Sequence, residues 1–495
     1  MKASGILLLT VLALAGCRHL RSDTSTMPAG WLPTGVALDP AAPMFDVGPL
    51  PLEMVRAPEG DRYVLLLSGW SEQGVQVVDP SAREVTQNLV QPAAFVGVCF
   101  SRDGRTLFAS GGDHDVVYRY TWANGRATLA DSLVLAPRKP RAHGTRYPAG
   151  LAVSPDGRSL YVAENLADSL AVVDLASGRV TQHLATGRYP YEVAVAPDGT
   201  VYVSAWGASH VAVFSPGNNG SLVPGDVIPV GYHPSALLLS RDGGRLFVTS
   251  SSTDEIRVID TATRETVATL HDPAPAGPHE GSTPNALALS PEGTRLFVAE
   301  ADNNAVAVFD LSPSSSGISA TAGKDRLAGR IPVGWYPTAL AVSGDTLLVA
   351  NGKGLGTGPN VDGPHPDGRP HSDKDYTLGQ LSGTVSVFAG VHASDGTLAS
   401  LGQRVQRANN WTRAAQKSSL PPFKHVIYII KENRTYDQVL GDMPGGDGDT
   451  SLLYFPRAVT PNHHALADKF GLFDRFFVNA EVSAQGHNWS MAAYS

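Results

Sequence analysis

One unit recurs seven times along this chain and leaves few folds open to it. Each copy runs through an alternating apolar stretch, crosses a polar turn that often holds Asp-Gly, and closes on a second stretch ending in aromatic-Val-small. The copies begin at Pro51, Ala94, Pro148, Pro190, Pro234, Pro284 and Pro337. Their spacing is roughly 40 to 55 residues, the length of a propeller blade. A third apolar stretch follows in each, for example Leu170-Ala171-Val172-Val173-Asp174. Several copies then turn into a fourth, as at Ala176-Ser177-Gly178-Arg179-Val180 and Thr263-Arg264-Glu265-Thr266-Val267. Four short antiparallel strands make one blade, and a closed ring of blades removes the edges that invite aggregation. The expected fold class is therefore mainly β, a seven-bladed β-propeller over 48–390, followed by the start of an α/β domain.

Glycine (51) and proline (36) are spread at intervals rather than clustered, which marks turns between short strands. Apolar runs such as Ala236-Leu237-Leu238-Leu239 suit strands covered on both faces by neighbouring blades. The endings Tyr161-Val162-Ala163-Glu164, Tyr202-Val203-Ser204-Ala205, Phe247-Val248-Thr249-Ser250 and Phe297-Val298-Ala299-Glu300 resemble the tetrad that names the YVTN-type propeller family, in degenerate form. The seventh unit carries an insertion over 352–382, rich in Gly, Pro, Asp and His; loops of this length are functional or disordered. Residues 391–422 read as a helical, Pro-rich linker.

The N-terminus reads as an address. Lys2 precedes an apolar run, Ile6 to Leu14, shorter than the roughly 20 residues a spanning helix needs. Leu14-Ala15-Gly16-Cys17 then resembles the bacterial lipobox. That resemblance implies a signal peptide over 1–17, lipid on Cys17, and a tether over 18–47; an ordinary secretory peptide is the alternative. Arg18, not an acidic residue, follows the cysteine, which favours the outer membrane. The expected location is the cell envelope, anchored by lipid to the outer membrane or the periplasmic face of a membrane. Cys99 is the only other cysteine, so neither a disulfide framework nor a thiolate metal site is available; a small buried strand residue is expected there. With a net charge of −8 and no dense Lys/Arg run after the N-terminus, no nucleic-acid partner is expected.

The texture changes at Phe423. Residues 423–430 form a continuous apolar run of the kind buried in a parallel sheet. Glu432 and Asn433 follow at once, where open α/β sheets place their ligands, and both offer hard oxygen donors. The stretch HVIYIIKENRTYDQVLGD resembles the opening of the bacterial phosphoesterase family that holds phospholipases C and acid phosphatases, within the alkaline-phosphatase superfamily. The resemblance implies that Glu432 and Asn433 bind a divalent metal ion. The later stretch Glu481-Val482-Ser483-Ala484-Gln485-Gly486-His487 resembles the family's second motif, a Ser or Thr nucleophile four residues before a His. It implies a catalytic, metal-bound Ser483, with His487 near the site to orient or protonate. A serine hydroxyl needs such activation, and a following helix start receives phosphoryl oxygens; the competing reading of Ser483 is a helix cap. The family's domain supplies further strands and further acidic and His ligands, so 423–495 is expected to be an incomplete N-terminal part.

Four units are entered through an aromatic or imidazole residue before proline: Tyr147, Tyr189, His233 and Tyr336. Equivalent positions place them around one mouth of the channel, where they bind an envelope ligand or dock the phosphoesterase part; stiffening of the blade junction is the alternative. The function expected is an envelope-anchored, metal-dependent phosphoesterase acting on a small phosphoester or a lipid headgroup, with the propeller as binding scaffold, and inactive as this incomplete chain. The alternative is a non-catalytic propeller lipoprotein that binds or scaffolds. A lactonase-type propeller enzyme ranks last, since the sequence shows no convincing ligand set for it.

Overall fold

The computed structural model describes residues 30, 32, 35–137, 143–272, 281–312, 325–356, 365–370, 372, 377–411, 423–474, 476, 478, 480 and 482–492. The chain divides into two compact units. The larger comprises Leu32–Ile429 with Phe477–Ser495, the smaller Met1–Trp31 with Ile430–Phe476.

The larger unit is a seven-bladed β-propeller. Its described strands form seven four-stranded antiparallel sheets. The first six blades are continuous in the chain: Pro51–Val90, Val98–Val134, Pro148–Ala185, Pro190–Pro229, Pro234–His271 and Pro284–Pro332. The seventh takes three strands from Trp335–Ala389 and its outermost strand from Met44–Val47. There Met44 pairs with Ser386 and Val47 with Gly383. Four residues of the stretch read as a tether therefore belong to the sheet, where they cover the last blade's edge.

Apolar alternation sets the strands, and packing on both faces sets their burial. Tyr63 to Leu67, in the second strand of the first blade, is buried throughout. The turns between first and second strands repeat one device. Ser101 Oγ donates to Asp103 Oδ1 at 2.6 Å, and the same pair recurs as Ser154–Asp156 and Ser240–Asp242. The glycine that follows adopts a left-handed φ of 71°, 72° and 74° at Gly104, Gly157 and Gly243, which the absence of Cβ permits.

Neighbouring blades are tied at the start of each inner strand. A side chain of one blade donates to a carbonyl at the start of the next: Ser68 to Ala94 (3.1 Å), Asn165 to Pro190 (3.0 Å), Ser204 to Ser235 (2.8 Å), Ser251 to Pro284 (3.0 Å) and Asn285 to Pro337 (3.1 Å). Thr338 Oγ1 donates to the Pro51 carbonyl and so joins the last blade to the first. At the second junction the Asp115 carboxylate instead accepts from the backbone N–H groups of Thr145, Arg146 and Tyr147. Gly97 there lies so close to the third blade that a Cβ would sit 2.0 Å from the Ala149 carbonyl oxygen.

Helix α1 (Asp395–Ala408) lies within the stretch read as a linker, yet it packs on the sixth blade. It buries Leu398 against the strand Arg326–Pro332 and Val405 against Ala305 and Trp411. Beneath it, Arg330 donates to both Glu300 carboxylate oxygens (2.8 and 2.9 Å) and to Asp272 (3.2 Å), with Trp411 over the guanidinium. Burial and the neighbouring Glu300 hold the Asp272 carboxyl well above the usual carboxylate range.

The smaller unit is helical. Its elements include α2 (Tyr436–Leu440), opened by a Thr435–Gln438 capping box, and α3 (Pro461–Phe470). The buried His464 contacts Asp442 Oδ1 at 2.7 Å and the Thr460 carbonyl at 2.8 Å, and so joins α3 to the turn after α2. The expected opening of an α/β domain is not formed. Residues 423–430 carry no sheet pairing, and Val426, Ile427 and Ile429 are 81%, 86% and 77% exposed. A parallel strand needs neighbours on both edges and cover on both faces, and among the described residues no strand lies beyond Ala389.

Candidate functional site

The chain must reverse sharply each time it passes from the outer strand of one blade to the inner strand of the next. Tyr147, Tyr189, His233 and Tyr336 sit at that reversal with φ of 53°, 53°, 56° and 61°. Leu50 and Thr283 occupy the same station at 50° and 51°. A left-handed non-glycine residue costs about 1–2 kcal/mol, and it persists where surrounding bonds over-determine it. An Asp or Asn of the preceding blade supplies them. Asp115, Asp168 and Asn304 accept from the N–H of Tyr147 (2.9 Å), Tyr189 (3.0 Å) and Tyr336 (3.0 Å). The four residues thus share one mouth of the ring.

Further aromatic side chains join them there. Trp206 stacks on His233 with centroids 3.9 Å apart and a 19° interplanar angle, and meets Tyr189 edge-on at 6.5 Å. His233 Nδ1 lies 2.6 Å from Ser252 Oγ, and burial holds its imidazole below the ordinary histidine value. Lys353 Nζ lies over both Trp335 (5.1 Å) and Tyr336 (5.0 Å), and Arg188 over Tyr189 (5.2 Å). Phe95 meets Tyr147 and Tyr191 at 5.2 and 5.9 Å. Trp206, Lys353, Phe95 and Tyr191 carry no repeat signal in the sequence, and Tyr191 and Lys353 lie within strands.

Deeper in, the inner strands of the first and fourth blades carry Glu53 and Glu192, both half-buried. Each carboxylate accepts from the next backbone N–H, Met54 at 2.9 Å and Val193 at 3.0 Å. Burial pushes Glu53 up to about 7. Burial and then the charge of Glu53 push Glu192 up to about 8. The Tyr191 phenol is also raised, by burial first and then by both glutamates. Cys99, on the second blade's inner strand, is pushed up to about 12 by burial, so it stays a thiol. A sequence signal for the glutamates exists. Two residues after the proline, the other proline-led units hold Gly150, Ala236, Ala286 and Ala339.

The motifs of the C-terminal stretch fall in different units. Glu432 and Asn433 are exposed residues of the smaller unit. Ser483 opens helix α4 (Ser483–Ala492) in the larger unit and is exposed. His487 lies one turn on, with Nδ1 2.9 Å from the Ser483 carbonyl oxygen. Among the described residues no group of three or more His, Cys, Asp or Glu is placed to hold a metal ion. Glu432 and Asn433 fall short of the six or so oxygen ligands a hard cation takes, so the residues present do not fit the metal. Cys17 lies outside the described residues.

Residues 138–252 match the family described as SMP-30/Gluconolactonase/LRE-like region. No curated protein matches the chain. Among solved structures, a periplasmic gluconolactonase of Pseudomonas aeruginosa is similar at 20% identity, over 58% of this chain and 86% of that one, with a TM-score of 0.44. A protein from Lactobacillus plantarum is similar at 20% identity over 66% and 99%, with a TM-score of 0.49. Virginiamycin B lyase from Staphylococcus aureus is similar at 12% identity over 70% and 99%, with a TM-score of 0.46. At such identities none of these likenesses bears on chemistry.

The channel glutamates make stability depend on pH. Their folded values lie above the ordinary glutamate value of 4.5. The folded state therefore holds protons that the unfolded chain releases, and stability falls as pH rises from 4.5 through about 8. Thermal melts between pH 5 and pH 9 are expected to show this decline in the wild type and a flatter profile in Glu192→Gln; an equal slope in both would remove the glutamate from the effect.

Proposed function

We propose that this chain is a ligand-binding propeller held at the cell envelope, with its mouth as the binding surface. The observation that carries this reading is the ring of strained aromatic residues at one mouth, joined by Trp206, Trp335, Lys353 and Arg188. Rigid aromatic side chains beside cations offer contact area at low entropic cost, a pattern of binding surfaces, and strained backbone clusters at ligand clamps. The family likeness over 138–252 falls on the third and fourth blades and the start of the fifth. Its name brings a lactonase into view, and among the described residues no group of three or more His, Cys, Asp or Glu is placed to hold a metal ion.

Thermal-shift measurements on the full chain, against a panel of anionic saccharides, phosphorylated headgroups and alkylammonium ions, test the mouth. Trp206→Ala is expected to weaken any ligand found by about tenfold, the loss of one aromatic anchor. Ligand binding unaffected by that change would reduce the mouth to a packing feature. The envelope location rests on the lipobox resemblance at Cys17. Cys17→Ser is expected to move the protein from the membrane pellet to the soluble fraction; a variant that stays in the pellet would sink the anchor.

A second reading, phosphoester hydrolysis with Ser483 as nucleophile, is favoured by the position of Ser483 at the exposed start of α4, where backbone N–H groups receive phosphoryl oxygens. The resemblance adds a divalent cation on Glu432 and Asn433. The described residues complete no site for it. Assay with an aryl phosphate tests this reading: turnover reduced at least about a hundredfold in Ser483→Ala supports it, and turnover that persists in the variant takes Ser483 out of the reaction.

A further inference from the structure

At its contact with helix α1 the sixth blade buries more acid than base. The Asp272 and Glu300 side chains are fully buried, and the Arg330 side chain between them is 7% exposed. Arg330 Nε donates to both Glu300 oxygens and Nη2 to Asp272 Oδ1, while Asp272 Oδ2 receives no hydrogen bond from the described residues. The other charges of the surrounding elements are engaged elsewhere or add to the excess. Asp254 accepts from the Ser282 N–H, and its charge bears on Asp272. Arg257 donates to Glu255, Arg295 to Asp310 and Thr283 to Asp302. On α1, Arg404 donates to Asp39, Arg407 bears on the same carboxylate, and Asp395 accepts from Arg326. His271, next to Asp272, is exposed. Two ionised carboxylates against one guanidinium leave a buried negative charge and an oxygen without a donor, and buried groups so placed take up a proton instead. A proton shared by the pair supplies the missing donor, since the Asp272 and Glu300 carboxyl groups lie within hydrogen-bond reach of each other.

The chain at the end of α1 covers this cluster. Trp411 lies over the guanidinium, with Cζ 5.4 Å from the ring centroid, and closes an apolar cluster with Val405 and Ala305. Asn409 Nδ2 donates to the Asn303 carbonyl at 3.0 Å. The stretch before the first strand is bound to the same end: the Ala37 N–H donates to the Ala408 carbonyl and Asn410 to the Gly35 carbonyl, each at 3.0 Å. We propose that helix α1 and Trp411 form a strap latched by a proton shared between Asp272 and Glu300, and that the strap lifts from the sixth blade when this proton is lost. Once the proton passes to water, the uncompensated charge lies under an indole ring, and hydrating it requires the cover to move. Lifting uncovers the strand Arg326–Pro332 and the apolar socket of Leu398. The sign follows from linkage. The closed strap holds a proton that the hydrated pair releases, so opening grows easier as pH rises. The latch rests on the seat of α1 alone and is independent of what the mouth binds.

Amide hydrogen exchange on the full chain between pH 5 and pH 9, corrected for the intrinsic pH dependence of exchange, tests it. The peptide covering Asp395–Ala408 reports the strap, and the peptide covering Ser159–Glu164, in the third blade, is the internal reference. In the wild type the opening constant of the strap is expected to rise about tenfold per pH unit, the signature of one released proton, until the closed pair itself titrates. The reference peptide is expected to show no such rise. Asp272→Asn supplies a donor that cannot ionise and is expected to flatten the profile of the strap. Glu300→Gln removes the second carboxyl group and is expected to do the same, so one variant serves if the other does not fold; melting curves verify folding of each. A flat profile in the wild type overturns the latch. So does a slope that survives in a folded variant, since the titrating group then lies elsewhere. A reference peptide that rises in step with the strap makes the opening global and overturns the strap as a separate device.

Discussion

The junction between blades governs this structure. Each inner strand begins where a side chain of the preceding blade reaches its carbonyl or N–H groups, at all seven junctions. Blade faces bury apolar surface without direction, and such burial tolerates sliding. Directed bonds at the inner rim fix the register of one sheet on the next. The same rim holds residues such as Tyr147 and Tyr189 in a left-handed conformation. At the entry to the third blade Asp115 does both, so there the bonds that tie one blade to the next also hold an aromatic residue of the candidate mouth.

The repeat made the ring legible. Period, turn chemistry and aromatic-Val endings all point to blades, and each survives in the structure because each is local. What is not local was harder to see. Met44–Val47 is a strand only because Gly383–Ser386 offers an edge far along the chain, and four residues with no repeat of their own carry no such signal. Helix α1 shows polar residues typical of a linker, yet it buries Leu398 and Val405. The run 423–430 misled in the opposite direction. Apolar continuity reports what a segment prefers to bury, not whether neighbours exist to bury it.

The candidate site was legible in part. The residues before proline were readable in the repeat, since Tyr147, Tyr189, His233 and Tyr336 recur in register and share one left-handed backbone conformation. The channel glutamates were missed, although Glu53 and Glu192 interrupt a column otherwise filled by Gly150, Ala236, Ala286 and Ala339. A repeat protein hides function in such departures, where one copy exchanges a small residue for a charged one and the scaffold remains. The C-terminal motifs illustrate the converse, since a motif names chemistry that its surroundings must still assemble.

Closing the ring with a strand from each end of the propeller orders events during synthesis. Six blades can stack as they emerge, but the strand made first has nothing to pair with until Gly383–Ser386 appears. Until then the nascent chain is an open spiral with two bare edges, a target for chaperones and proteases. Only the pairing of Met44–Val47 with Gly383–Ser386 covers both of those edges at once.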